Sequence, residues 1–408
     1  MKRNWLVAAV ILLALMTVPM VWAAGQAAPQ QPPPQQPQQQ QQAYTKDEYD
    51  KFNAAVNEKD ATQRVRLLDD FAAKYPNSTL LPYVFRDYVV AYTELRNNLK
   101  VMESADRFLA LGEKVDTMQG LETARLQVCI LRAQAFFAAL NARQLTTNEQ
   151  FAAAREGAQK GLKLLDDLKK PENVAEEEFK KQTNAYRVMF HSVIGFAARQ
   201  MKDFKGAIEA FRAAQAVTPN DASLYYQIGL SYLQQDPPQQ MDGFWAIARS
   251  IALKVQGEAQ IRTYLRNQLL RYQQPTCDSL LDAQLNELIT LAATAAERPS
   301  NFSIPSRAEL DKVLSENGTV EAISENLKAG GDKAKNTWLA ACGAEFPELL
   351  GKVMEVGAAD GDAVVLKIFS ASTQEATEAG TAANMELHVE GQPRAKGFKK
   401  DDLFVFAG

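Results

Sequence analysis

Residues 194–229 read IGFAARQMKDFKGAIEAFRAAQAVTPNDASLYYQIG, from Ile194-Gly195 to Ile228-Gly229. The two glycines stand 34 residues apart. Between them Phe204, Ala207, Ile208, Phe211 and Ala214 recur at three- and four-residue steps. That spacing puts all five on one face of a helix. Pro219 ends this helix, and Asn220-Asp221 make a turn and cap the next one. Tyr225, Ile228, Gly229 and Tyr232 then open a second unit.

This pattern over residues 188–236 resembles the tetratricopeptide repeat, whose period is 34 residues. A second, partial match lies at residues 48–77, where Leu67, Leu68, Phe71, Ala72 and Tyr75 step along a helix before Pro76-Asn77-Ser78. That ending is similar to exported repeat proteins of the bacterial envelope. Elsewhere helix periodicity carries the reading. It predicts helices over Leu80–Leu95, Lys100–Gly112, 119–143, 148–169, 258–271 and 278–297. Pro237-Pro238 forces a longer turn before the helix that holds Trp245, Ile247, Ala248, Ile251 and Ala252. The expected architecture is mainly α: a tetratricopeptide-like solenoid of about six helix pairs over residues 44–297. In such an array each hairpin buries its apolar face against its neighbours, and the concave face is the usual binding surface.

The resemblance implies a groove lined by first-helix residues. These are Met189, Ser192, Phe196 and Arg199 in one unit, and Ser223, Tyr226, Gln227, Leu230 and Leu233 in the next. Tyr226 and Arg199 are residue types enriched at interface hot spots. Phe196 and Leu230 fit packing between helices equally well, because the same spacing serves both roles. The basic and asparagine groups that clamp a peptide carboxylate in chaperone-binding members are absent, with Ser192 and Tyr226 in their places. An acidic C-terminal peptide is therefore not the expected ligand.

Both ends of the chain differ from this array. Residues 1–23 read as a secretory signal: Lys2 and Arg3, an apolar run from Leu6 to Val21, and Val21-Trp22-Ala23 ahead of a cleavage point. Left uncleaved, the segment would tether the protein to the inner membrane, facing the periplasm. Residues 24–43 form a linker, and 26–42 hold ten Gln, five Pro and no charge. Such a tract cannot bury a core, and its prolines favour an extended spacer reaching up to ~50 Å. The expected location is periplasmic or secreted.

Residues 298–345 read as a helical connector with turn signals at Pro299, Pro305 and Gly330-Gly331, anchored through Trp338 and Leu339. After residue 345 the period changes to two. Val353 to Phe369 reads as a β-hairpin about Asp360-Gly361. Met385, Leu387 and Val389 alternate with Glu386, His388 and Glu390, which suits a strand with one wet face. Leu403-Phe404-Val405-Phe406 is a fourth strand, and residues 371–383 a polar loop. Residues 346–408 weakly resemble a small barrel of the oligonucleotide/oligosaccharide-binding type. Their six basic and ten acidic residues argue against nucleic acid.

Apolar residues at 46% and charged residues at 23% mark a folded chain. The net charge of −4 gives no reason to seek phosphate backbones or anionic lipid. Two histidines and three cysteines (Cys129, Cys277, Cys342), none in a Cys-x-x-Cys pair, are poor material for a zinc site. An oxidising compartment permits one disulfide, yet three separate thiols packed as small apolar residues is the plainer expectation. His191 falls on a packed helix position and His388 on a wet strand face, and neither has a nucleophile beside it. Ala329-Gly330-Gly331-Asp332-Lys333 lacks the spacing of a phosphate loop. Asp69-Asp70 and Asp166-Asp167 sit on helices as solvated positions, and Asn77, Asn301 and Asn317 head short glycosylation-like matches. No cofactor, metal site or catalytic residue is expected. The expected function is a non-enzymatic scaffold or adaptor for protein partners in the bacterial envelope. The alternative is an envelope saccharide-binding protein that uses the C-terminal module.

Overall fold

The computed structural model describes residues 44–274, 277–344, 348–360 and 363–407. The signal segment, the Gln/Pro linker, Phe346 and Gly361 of the hairpin turn lie outside the described residues. The chain is mainly helical, with a small four-stranded antiparallel sheet at its C-terminal end. It divides into two compact units at Glu258/Ala259. That boundary falls inside the expected 44–297 array.

The first unit holds α1 (Lys46–Val56), α2 (Ala61–Lys74), α3 (Leu81–Glu94), α4 (Asn98–Leu109), α5 (Ala124–Asn141), α6 (Asn148–Asp166), α7 (Glu176–Gln200), α8 (Phe204–Val217), α9 (Ala222–Leu233) and α10 (Gln240–Ala252). Side chains supply many of their start signals. Thr45 with Glu48, and Thr147 with Gln150, form capping boxes that satisfy orphan N–H groups reciprocally. The Asp221 carboxylate accepts from the Ser223 N–H at 2.8 Å and starts α9 as expected.

The stops are more uniform than the sequence suggests. Arg96, Arg143 and Lys202 follow α3, α5 and α7, and each adopts a left-handed backbone, with φ of 53°, 55° and 64°. The N–H of each bonds the carbonyl three residues back, and the next N–H bonds the carbonyl five residues back. This is the Schellman closure, built here without glycine. The same turn therefore joins both helices in three successive pairs.

Each helix of this unit packs on the next, from α1 through α10, and α1, α3, α5 and α7 also pack in series. One core runs from Val89 to Ala246, with a smaller cluster around Leu68, Phe71 and Val84. Phe137, Phe196 and Phe211 meet edge to face, at ring-centre distances of 5.8 and 5.2 Å. Close approach depends on glycine. A Cβ on Gly195 would lie 2.6 Å from the Phe211 ring, and one on Gly161 2.5 Å from Phe190.

The second unit opens with α11 (Glu258–Gln273) and α12 (Asp278–Thr294), followed by α13 (Arg307–Asn317), α14 (Val320–Ala329) and α15 (Gly331–Ala341). Its strands are β1 (Leu349–Asp360), β2 (Ala363–Ser370), β3 (Met385–Val389) and β4 (Leu403–Phe406). They lie in the order β3-β2-β1-β4. All pairings are antiparallel, with Leu366 opposite Leu387 and Gly351 opposite Phe404. The four expected strands are present, but the sheet is open: β3 and β4 are edges and no barrel closes. Four strands, one only four residues long, are too few to curl a sheet onto itself. The polar loop 371–383 contains one helical turn, α16 (Gln374–Glu378), capped by Thr373.

Two further expectations are corrected. Cys277, at the start of α12, is disulfide-bonded to Cys342, at the end of α15, with 5.8 Å between their Cα atoms. Only Cys129 among the three stays a buried thiol, pushed up to about 12 by burial and therefore inert. Trp338 does not anchor its segment; it is 48% exposed, while Leu339 is buried with Leu310 and Ala340. Adjacent helix residues point about 100° apart, and α15 turns Leu339 inward and Trp338 outward.

Two outcomes test this description. Replacing Cys277 and Cys342 together by serine should lower the unfolding midpoint of the second unit and leave that of the first unchanged in calorimetry. The loop-closure cost for a 65-residue separation is on the order of 4 kcal/mol. Gly195→Val should destabilise the first unit by roughly 1–3 kcal/mol in urea titration, because the Phe211 ring must yield.

Candidate functional site

A half-open pocket of about 290 Å³ lies between α3 and α5. Arg86, Asp87 and Val90 line it from α3, and Gln127, Val128 and Leu131 from α5. Val90 is exposed, Leu131 and Gln127 are half-buried, and Val128 is closed off from water. The lining is thus part aliphatic and part ionic. Asp87 is buried, and both Nε and Nη2 of Arg86 donate to its Oδ1, at 3.0 and 2.8 Å. Burial holds the Asp87 carboxyl above the usual carboxylate range, and the Arg86 charge opposes that rise.

The remaining ionic groups of α3 and α5 are already paired. Glu94 accepts from Arg64 at 3.0 Å. Arg125 bonds Asp116. Arg132, only 2% exposed, makes two bonds to Asp106, at 2.6 and 3.0 Å. Its side chain lies 3.0 Å from where a Cβ on Gly157 would stand, so α4, α5 and α6 converge on one guanidinium. Removing Asp106 would strand the buried Arg132 guanidinium.

The eight residues expected to face a partner are spread over burial classes. Ser192, Phe196, Tyr226 and Gln227 are buried, Met189, Arg199 and Leu230 half-buried, and Ser223 exposed. Leu233 is half-buried. Phe196 belongs to the core and touches the Phe137 and Phe211 rings. Arg199 lies over the Phe196 ring at 5.4 Å, and its Nη1 donates to Gln227 Oε1 at 2.5 Å. The structure therefore brings Phe196, Arg199 and Gln227 together, as a bridge between α7 and α9. Burial raises the Tyr226 hydroxyl pKa, with Arg199 opposing.

Sequence reading missed the α3/α5 cavity. Its signal was present in the same 3,4 spacing that marks the later units: Tyr83, Arg86 and Val90 on α3, Gln127 and Leu131 on α5. No glycine marks the register there, so nothing in the pattern separated inner from outer positions. Asp69, Asp70, Asp166 and Asp167 are exposed as expected, and Asp69 accepts from the Tyr88 hydroxyl at 2.6 Å. His388 is exposed beside Glu386 at 2.9 Å. Among the described residues no group of three or more His, Cys, Asp or Glu could hold a metal ion, and no helix is long and apolar enough to cross a membrane.

No protein-family model matches the chain, and none of the curated proteins matches it.

His191 is half-buried on α7, and burial together with Arg187 lowers its pKa below 6.5, against the pull of Asp166. A depressed histidine contributes stability that is present above the unfolded pKa and lost as pH falls through the folded one. The melting temperature of the first unit should fall between pH 7 and 5, and less steeply in His191→Gln. Tyr226→Ala should cost about 3 kcal/mol of stability, as expected for an emptied core site, measured by urea titration.

Proposed function

We propose that this chain is an exported, non-enzymatic adaptor. In this reading its helix pairs form a tetratricopeptide-like array that binds another protein along its first helices. The observation that carries it is the serial packing of α1, α3, α5 and α7, with the cavity opening between two of them. In an array of this kind the stacked first helices form the inner face. The repeated Schellman turn after α3, α5 and α7 supports the same geometry in units where the sequence period is weak.

The groove residues are redrawn on this basis. Met189, Arg199, Ser223 and Leu230 keep exposed surface for a partner, and Val90, Gln127 and Leu131 extend that surface toward the N-terminus. Ser192, Phe196, Tyr226 and Gln227 shape it from beneath. Export is supported by the basic-apolar N-terminal segment and by the Cys277–Cys342 disulfide, a bond that persists in oxidising compartments. The saccharide alternative receives no comparable support. Phe398, Phe404 and Phe406 pack against the sheet core instead of forming a stacking platform.

The test is affinity capture from envelope extracts with the protein as bait. Val90→Glu, at an exposed position, should reduce a reproducible captured protein by at least about tenfold while leaving the melting temperature nearly unchanged. A protein that stays monomeric and captures nothing reproducible would remove the adaptor reading.

A further inference from the structure

The polypeptide enters α1 across an aromatic surface. The Tyr44 ring stacks on Tyr49 of α1, with 5.6 Å between ring centres and 13° between planes. About one turn further along α1, Phe52 meets Tyr83 of α3 edge to face at 5.9 Å. Tyr44, Phe52 and Tyr83 all pack on the cluster of Leu68, Phe71 and Val84, and each stays half-buried. Tyr49 is 44% exposed. The Tyr83 hydroxyl donates to the Gln119 carbonyl at 2.8 Å, which fixes that ring. Rings from two first helices, and from the residue that leads into them, thus stay partly open to solvent.

We infer that this surface is the docking site of the chain's own proline-rich segment, Pro29 to Pro37. The segment reads PQQPPPQQP and holds two Pro-x-x-Pro motifs, Pro29 with Pro32 and Pro34 with Pro37. Such segments dock on aromatic side chains, because their preset extended backbone gives up little entropy on binding. The chemistry matches on both sides. The segment carries no charge, so nothing in it needs an ionic partner. Two carboxylates of α1 are already answered within the protein: Asp47 accepts from Lys74 at 2.7 Å and from the Tyr75 hydroxyl, and Glu48 accepts from the Thr45 N–H. The surface offers apolar contact, and the segment brings five pyrrolidine rings and the methylenes of its glutamines.

The covalent connection selects this segment over other occupants. Six residues, Gln38 to Ala43, separate Pro37 from Tyr44. They reach at most about 25 Å, and without proline they can turn the chain back onto the surface. A segment held this close meets the rings at a local concentration on the order of millimolar. A contact too weak to hold a separate peptide therefore suffices to hold this one. Docked, the segment is a strap on the first unit, and the reach of ~50 Å expected of a free spacer is not available to it. The inference stands whether or not the adaptor reading does.

The test uses the full chain labelled with 3-fluorotyrosine and read by fluorine NMR, with resonances assigned through Tyr44→Phe, Tyr49→Phe and Tyr83→Phe. It is compared with a variant carrying Pro29→Ser, Pro32→Ser, Pro33→Ser, Pro34→Ser and Pro37→Ser together. The Tyr44, Tyr49 and Tyr83 resonances should differ between the two proteins, and those of the other tyrosines should coincide. A synthetic peptide of residues 29–37 should move the variant's resonances to the wild-type positions, with a dissociation constant on the order of millimolar. It should bind the wild type several-fold more weakly, because the tethered segment already competes for the rings. Tyr49→Ala in the proline variant, at an exposed position, should lose the peptide response and keep the melting temperature. Coincident Tyr44, Tyr49 and Tyr83 resonances in wild type and variant overturn the inference. Equal peptide affinity for both proteins overturns it too, and leaves the surface to a proline-rich partner. Wild-type shifts that grow with protein concentration make the occupant a second copy and overturn it as well. So does a peptide response that survives Tyr49→Ala.

Discussion

The first unit is built from helices that cannot bury their apolar faces alone, and the contact that lets them share one core is the approach of α7 to α8 across Gly195. The Phe211 ring occupies the space where a side chain at 195 would be. Phe196, one residue on, turns the other way and meets Phe137 of α5 as well as Phe211 of α8. One glycine and three rings thus tie three helices together. Gly161 against Phe190 repeats the device between α6 and α7. Because interiors are close-packed, these contacts set the helix spacing, and the spacing sets how much room remains between the first helices.

That remaining room is where a partner would sit, and its chemistry is restrained. Charged side chains of α3 and α5 are spent on neighbouring segments: Glu94 on Arg64, Arg125 on Asp116, and the buried Arg132 on Asp106. Such pairs do little for stability when exposed, but they keep the field near the cavity close to neutral.

The second unit solves stability differently. Its sheet is small and open, with buried residues centred on Val364, Leu366 and Ile368, while its helices bury Leu265, Leu269, Leu281 and Leu285 on α11 and α12 and Leu310 and Leu339 further on. A covalent link from the start of α12 to the end of α15 restrains the intervening chain in the unfolded state. At the sheet edges β3 carries the exposed Glu386 and His388, which discourage further pairing, whereas β4 exposes Leu403 and Val405.

Much of this was legible in the residues themselves. Helix periodicity located α2 to α6, α8 and α10 to α12, since a 3.6-residue apolar stripe is a local property; the repeat pattern located α7 and α9, and α1 was not singled out. Alternation located β3 and a short apolar run located β4, for the same reason. The tight glycine at 195 could be read because Gly, Ala and Phe stood at fixed offsets. Only tertiary structure decided the rest. Whether Phe196 and Tyr226 face a groove or a core depends on which neighbour covers them, and helix spacing is identical in both cases. Pairing of Cys277 with Cys342 depends on two segments meeting across 65 residues, which no local pattern encodes. The open sheet follows from strand order, and the α3/α5 cavity from side chains of separate helices. Sequence alone determined the elements and their apolar faces, because those rest on neighbours in the chain; contacts between distant residues determined burial, bridging and the site.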